Sequence, residues 1–198
     1  MNKGILLPVL SLILAVVILL GVSFGLKGVA EEKAQAEHLR LLRTVLPDSE
    51  NFVVEPYAGD DPNIVSVHKG ENGFVVETST YGYAGDITMY IGVSNEGKVT
   101  GLVVTELQET RNLGFKALQD HEFLAQFLNT SGNVVIGTGE ADAFSGATDS
   151  ASTAEDSVYV DGISGATVTS KAIARSVNSA VAFVTGADVE SGATSWGG

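Results

Sequence analysis

Hydropathy divides the chain before any motif is considered. Ile5 to Leu26 is almost wholly apolar and uncharged, and as a helix it spans about 30 Å, the thickness of a bilayer core. Lys3 gives it the short positive flank of a secretory signal peptide, but the apolar run is long for one and no small-x-small cleavage site closes it. The pattern predicts an uncleaved single-span anchor over residues 1–27, with the amino terminus inside and the rest of the chain outside. Glu31 to Leu46 then reads as a charged helix with Leu39, Leu42, Val45 and Leu46 on one apolar face, stopped by Pro47. Residues 28–50 are thus expected to be a juxtamembrane helix and linker.

From Asn51 the period changes from helical to alternating. Phe52-Val53-Val54, Ile64 to Val67, Phe74 to Thr78, Ile87 to Val93 and Val99 to Thr105 read as strands. Turn residues separate them, at Gly59-Asp60-Asp61-Pro62, Gly82 to Gly85 and Ser94-Asn95-Glu96-Gly97. The expectation is an antiparallel meander. Glu106 to Gly114 forms a polar loop, and Phe115 to Leu128 carries the apolar spacing of one helix or two short ones. Val134-Val135-Ile136 is a further candidate strand, and Tyr159-Val160 another. Residues 137–157 are rich in Gly, Ala, Ser, Thr and acids, too poor in apolar surface to repay ordering, and read as an insertion. The same holds for a tail over 186–198. The fold class is α+β: a transmembrane helix, then one antiparallel-sheet domain over 51–185 with flanking helices.

The stretch with chemistry in it is Asp161-Gly162-Ile163-Ser164-Gly165-Ala166-Thr167-Val168-Thr169-Ser170. Lys171 to Val181 follows as a helix, with Ile173, Val177 and Val181 as its apolar stripe. Small residues feeding a helix N-terminus suit a phosphate, because free N–H groups and the positive dipole end point outward. Thr167 adds a hydroxyl able to bond to that phosphate. Ser-Gly-Ala-Thr also occurs at 145–148 and 191–194, each copy with an Asp three residues before it (Asp142, Asp161, Asp188). Only Thr167 follows a candidate strand and precedes an amphipathic helix; Thr148 is the main rival.

Composition narrows the classes. The chain has 198 residues, 11 basic against 24 acidic, and a formal charge of −13. Such a balance disfavours nucleic acid, whose affinity comes largely from cationic contacts to phosphate. There are no cysteines, which excludes thiolate metal sites, iron–sulfur ligation and thiol nucleophiles within this chain. His38, His68 and His121 lack metal-ligand spacing. Ser164 lies in no Gly-x-Ser-x-Gly elbow. Tyr81, Tyr83 and Tyr90 are candidates to flank an aromatic ligand, with strand packing the commoner use of such residues. Asn129-Thr130-Ser131 fits a glycosylation sequon without supporting context.

The run from Asp161 to Thr167 resembles the flavinylation motif of the FMN-binding domain family, Asp-x-x-Ser/Thr-Gly-Ala-Thr/Ser. From the anchor to about Val184, leaving out the 137–157 insertion, the chain resembles the G subunits of Rnf ion-translocating electron-transport complexes, relatives of the C subunit of the sodium-pumping NADH:quinone reductase. The resemblance implies that Thr167 carries FMN through a phosphoester, with Asp161, Ser164, Gly165 and Ala166 as the matching recognition positions. It also implies a dedicated flavin transferase, using FAD and magnesium outside the cytoplasm. A family loop near the flavin, Glu-Thr-Pro-Gly-Leu-Gly-x-Lys, is matched by Glu109, Thr110, Leu113, Gly114 and Lys116, with Arg111-Asn112 in place of Pro-Gly. Lys116 is the residue expected to offset the surrounding acidity at the flavin.

The function so implied is electron relay, without turnover of its own, by a protein of the cell membrane. Its partners would be the other subunits of an Rnf-type complex that couples ferredoxin–NAD chemistry to ion movement. Two other readings remain: a stand-alone flavinylated carrier, and, in a different class, a non-flavin anion-binding domain on a membrane anchor.

Overall fold

The structure, a computed structural model, describes residues 32–107, 121–137 and 158–186. Among these no helix is long and apolar enough to cross a membrane; the expected anchor, 1–27, lies outside them. The chain divides into two compact units, 1–40 and 41–198. In the first, residues 32–40 are helical and largely exposed, with an Arg40–Glu37 ion pair one turn apart at 3.6 Å. Leu39, expected on the apolar face, is 40% exposed. Within the described residues the helix, α1, covers 32–45, and it ends two residues before Pro47.

In the second unit, the expected meander is a five-stranded antiparallel sheet in sequence order. It comprises β1 (Val53–Glu55), β2 (Ile64–Lys69), β3 (Gly73–Tyr81), β4 (Asp86–Ser94) and β5 (Val99–Leu107). Short turns set its register. Gly82 N–H donates to Gly85 O at 2.8 Å between β3 and β4. Gly97, at φ 78°, closes the turn into β5 through Ser94 O at 2.9 Å. A positive φ is a conformation that glycine adopts without steric cost.

Alternation gives the sheet two faces. Ile87, Met89, Ile91 and Val93 of β4, with Val76 of β3, enter the main core. The long helix α3 (Thr167–Thr185) closes that core with Ala172, Ile173, Val177, Ala180 and Val181. The predicted stripe of Ile173, Val177 and Val181 is therefore the buried face, each at most 1% exposed. Hydroxyls knit the seam: Thr80 Oγ1 donates to Ala172 O at 3.1 Å, with Ser176 Oγ 2.9 Å away. The opposite sheet face packs Val75 and Tyr90 against Leu42, Val45 and Leu46. Gly92 and Gly101 pair across β4 and β5. A Cβ at Gly92 would collide with Val45 O, so the glycine lets the helix end lie directly on the strands. Thr100 Oγ1 donates to the same carbonyl at 2.6 Å.

The segment expected as helix over Phe115–Leu128 is helical, within the described residues, as α2 (His121–Ala125), and the chain turns through 126–129. Phe123 and Phe127 are both buried, stacked edge to face at 5.2 Å. Val134 to Ile136 is a strand, β6, as expected, and it pairs in parallel with β7 (Val158–Val160). Most of the expected insertion and tail lies outside the described residues.

Candidate functional site

The site loop leaves β7 and enters α3. Its start is pinned by the N–H of Asp161, which donates to Gln126 Oε1 at 2.9 Å. Gly162 lies against Ile136; a Cβ there would come within 2.6 Å of Ile136 Cγ2. A turn follows, closed by Ala166 N–H donating to Ile163 O at 2.9 Å. Gly165 takes φ 80° within it, so the small residue there serves the turn itself. Ala166 is buried at 5% exposure, whereas Asp161, Ser164, Gly165 and Thr167 face solvent.

The helix starts earlier than its periodicity suggests. The sequence pattern places its beginning at Lys171; the structure begins α3 at Thr167. Thr169 and Ser170 are completely buried, and Ser170 Oγ donates to Ala166 O at 3.0 Å. Burial of Thr169 and Ser170 carries these weak helix formers into the first turn, while Val168 beside them stays exposed. Thr167 is thus the first helical residue, after Ala166, whose side chain gives no cap bond. Ser170 N–H makes the first intrahelical bond, to Ala166 O at 2.9 Å. The amides ahead of it lie at the positive end of a 19-residue helix.

These positions fit a phosphoester. Thr167 is exposed, the positions before it, Ser164, Gly165 and Ala166, are small, and a helix N-terminus favours an anion. A concavity of about 510 Å³ lies away from this loop, on the sheet face opposite α3. Glu77, Asp86 and Glu106 line it with Tyr90 and Thr88, and three carboxylates make it hostile to phosphate. Tyr90 is packed there, as strand packing requires, beside His68. Tyr81 and Tyr83 instead stand 63% and 60% exposed at the β3–β4 hairpin. Glu109, Thr110, Leu113, Gly114 and Lys116 lie outside the described residues, as do the rival hydroxyls Thr148 and Thr194.

Two residues that support the loop carry no recognisable sequence signal: Gln126 on the turn after α2, which bonds the loop itself, and Asn178 of α3, which bonds β6. Asn178 uses Oδ1 to accept Val134 N–H at 2.8 Å and Nδ2 to donate to Val134 O at 3.1 Å, anchoring β6 beneath the loop.

The described residues of the second unit thus form an α+β domain with an exposed threonine at the head of its principal helix. Comparison with known proteins gives its family: residues 82–182 match the FMN-binding domain family, and the chain belongs to that family. It is 30% identical over 167 residues to the G subunit of the ion-translocating oxidoreductase complex of Methanosarcina acetivorans, covering 78% of this chain and 76% of that one. It is 28% identical over 198 residues to the G subunit of the Na(+)-translocating ferredoxin:NAD(+) oxidoreductase complex of Acetobacterium woodii, covering 90% and 88%. The crystal structure of the C subunit of the Na(+)-translocating NADH-quinone reductase of Parabacteroides distasonis superposes with a TM-score of 0.49 at 18% identity, over 76% of this chain and 92% of that one.

Proposed function

We propose that this chain is the flavin-carrying electron-transfer subunit of an ion-translocating membrane oxidoreductase complex, with FMN ester-linked to Thr167. The observation that carries the reading is the exposed Thr167 as first residue of α3, directly after the Gly165 turn. Family membership supports FMN as the cofactor, and the similarity to the G subunits of such complexes supports the setting.

In this reading Thr167 Oγ1 would hold the FMN phosphate as an ester, installed from FAD by a flavin transferase with AMP as the leaving group and the hydroxyl proton lost. Ser164, Gly165 and Ala166 keep the approach open, and the α3 terminus offsets the phosphate charge. The bound flavin supplies the redox chemistry; the protein supplies orientation and electrostatics. Residues 1–27 anchor the chain in the cell membrane and hold the 51–185 domain, with its 137–157 insertion, on the extracytoplasmic side. There a covalent link prevents loss of the cofactor to dilution.

Fractionation tests the setting. Full-length protein is expected in the membrane and to copurify with further integral subunits, while a chain lacking residues 1–27, which has lost the segment that takes it into the membrane, is expected in the soluble cytoplasmic fraction. Full-length protein recovered from the soluble fraction, or from membranes without any partner, would contradict the proposal.

A further inference from the structure

Thr167, Lys171 and Arg175 succeed one another at intervals of four on α3. Each interval advances about 6 Å along the axis and about 40° around it. The three side chains therefore form one stripe about 12 Å long that begins at the candidate attachment point. Thr167 and Lys171 are exposed and Arg175 half-buried, while Ala172, Ile173 and Ala174, between Lys171 and Arg175, are buried. The stripe is the solvent-facing side of the helix.

Arg175 marks where the stripe ends. Its Nη2 donates to Tyr81 O at 2.9 Å, holding the guanidinium at the β3–β4 hairpin that exposes Tyr81 and Tyr83. A guanidinium has five N–H donors in all. Among the described residues, neither Lys171 nor Arg175 belongs to an ion pair. The placement of charge along the sequence is also uneven. Beyond Lys98 the basic residues are Arg111, Lys116, Lys171 and Arg175, in a chain of net charge −13. The first two fall in the loop matched to the family's flavin loop, and the other two on this stripe.

We propose that Lys171 and Arg175 set the reduction potential of the flavin carried by Thr167, with the Tyr81–Tyr83 hairpin as the far wall of its site. The inference rests on the reading of Thr167 as the attachment residue. Two electrons from a reductant, with uptake of one proton, leave the flavin ring with one added negative charge. Cations along the path from the ester to the hairpin favour that charge; the acids elsewhere oppose it. Both residues act on the ring through space and are positioning residues.

The test is a dithionite titration of the flavinylated full chain, in wild type, Lys171→Gln, Arg175→Gln and the charge-keeping Lys171→Arg and Arg175→Lys. Intact mass first establishes that each is labelled. Coulomb attraction at a solvated surface predicts an about fivefold lower reduced-to-oxidised ratio at fixed potential for either glutamine variant. For a two-electron couple that is about 20 mV. The loss should shrink at high salt and be restored by the charge-keeping variants. Labelled glutamine variants that titrate like wild type would overturn the proposal. So would a fall in labelling yield with an unchanged potential, which would put the cations at the phosphate. If Arg175→Gln does not fold, Lys171→Gln decides alone. A wild type without added mass would instead remove the Thr167 reading on which the inference stands.

Discussion

The hydroxyl of Ser170 accepts the backbone N–H of Ile163 at 3.3 Å, reaching back across the whole turn that presents Thr167. The same oxygen donates to Ala166 O at 3.0 Å. Ser170 is wholly buried, so no water replaces either bond if the hydroxyl is removed. Ser170→Ala is expected to cost about 1–2 kcal/mol in urea unfolding and to slow flavin loading by loosening the turn. Unchanged stability would mean that the loop is held by other contacts.

Thr80 makes a comparable bridge between β3 and α3. Thr80→Val keeps the shape but leaves Ser176 Oγ without its near partner in a buried seam. A loss of about 1–3 kcal/mol is expected, read by chemical denaturation. A neutral result would show that Ser176 reorients to a backbone acceptor.

Gly92 tests the other sheet face. A methyl group there meets the backbone of Val45, which has no side-chain freedom to give way. Gly92→Ala is expected to destabilise by about 1–3 kcal/mol and to reduce hydrogen-exchange protection around residues 42–46. Protection equal to wild type would contradict the close approach.

Tyr90 predicts an alkaline limit. Burial, and secondarily the negative charge of Glu77, raise its phenol above the ordinary range. The folded state then keeps a proton that the unfolded chain gives up near pH ~10. This contribution is whole below that pH and is lost as pH rises through the folded value. Tyr90→Phe should therefore lose less stability than wild type between about pH 9 and 11. Parallel pH profiles would exclude the effect.

How much of the fold is legible in the sequence depends on element length. β2 to β5 each have enough residues for alternation to show, and hairpin residues between them fix an antiparallel order. β6 and β7 have three residues each and pair in parallel across a long sequence gap; nothing within them names a partner. The motif marks the site loop, yet α3 starts four residues before its periodicity does, because propensity argues against Val168-Thr169-Ser170 and the burial of Thr169 and Ser170, invisible in the sequence, overrides it. Gly92 and Gly101 read as ordinary strand glycines until Val45 lies on them. Tyr81, Tyr83 and Tyr90 share a residue type and opposite fates, decided by which strand end and which face each occupies.

Intact mass of Thr167→Ala after co-expression with a flavin transferase tests the account most directly. Wild type and Thr148→Ala are expected to gain the mass of one FMN ester, and Thr167→Ala to gain none while remaining folded. A Thr167→Ala chain that still carries the flavin, or a Thr148→Ala chain that loses it, would contradict the assignment.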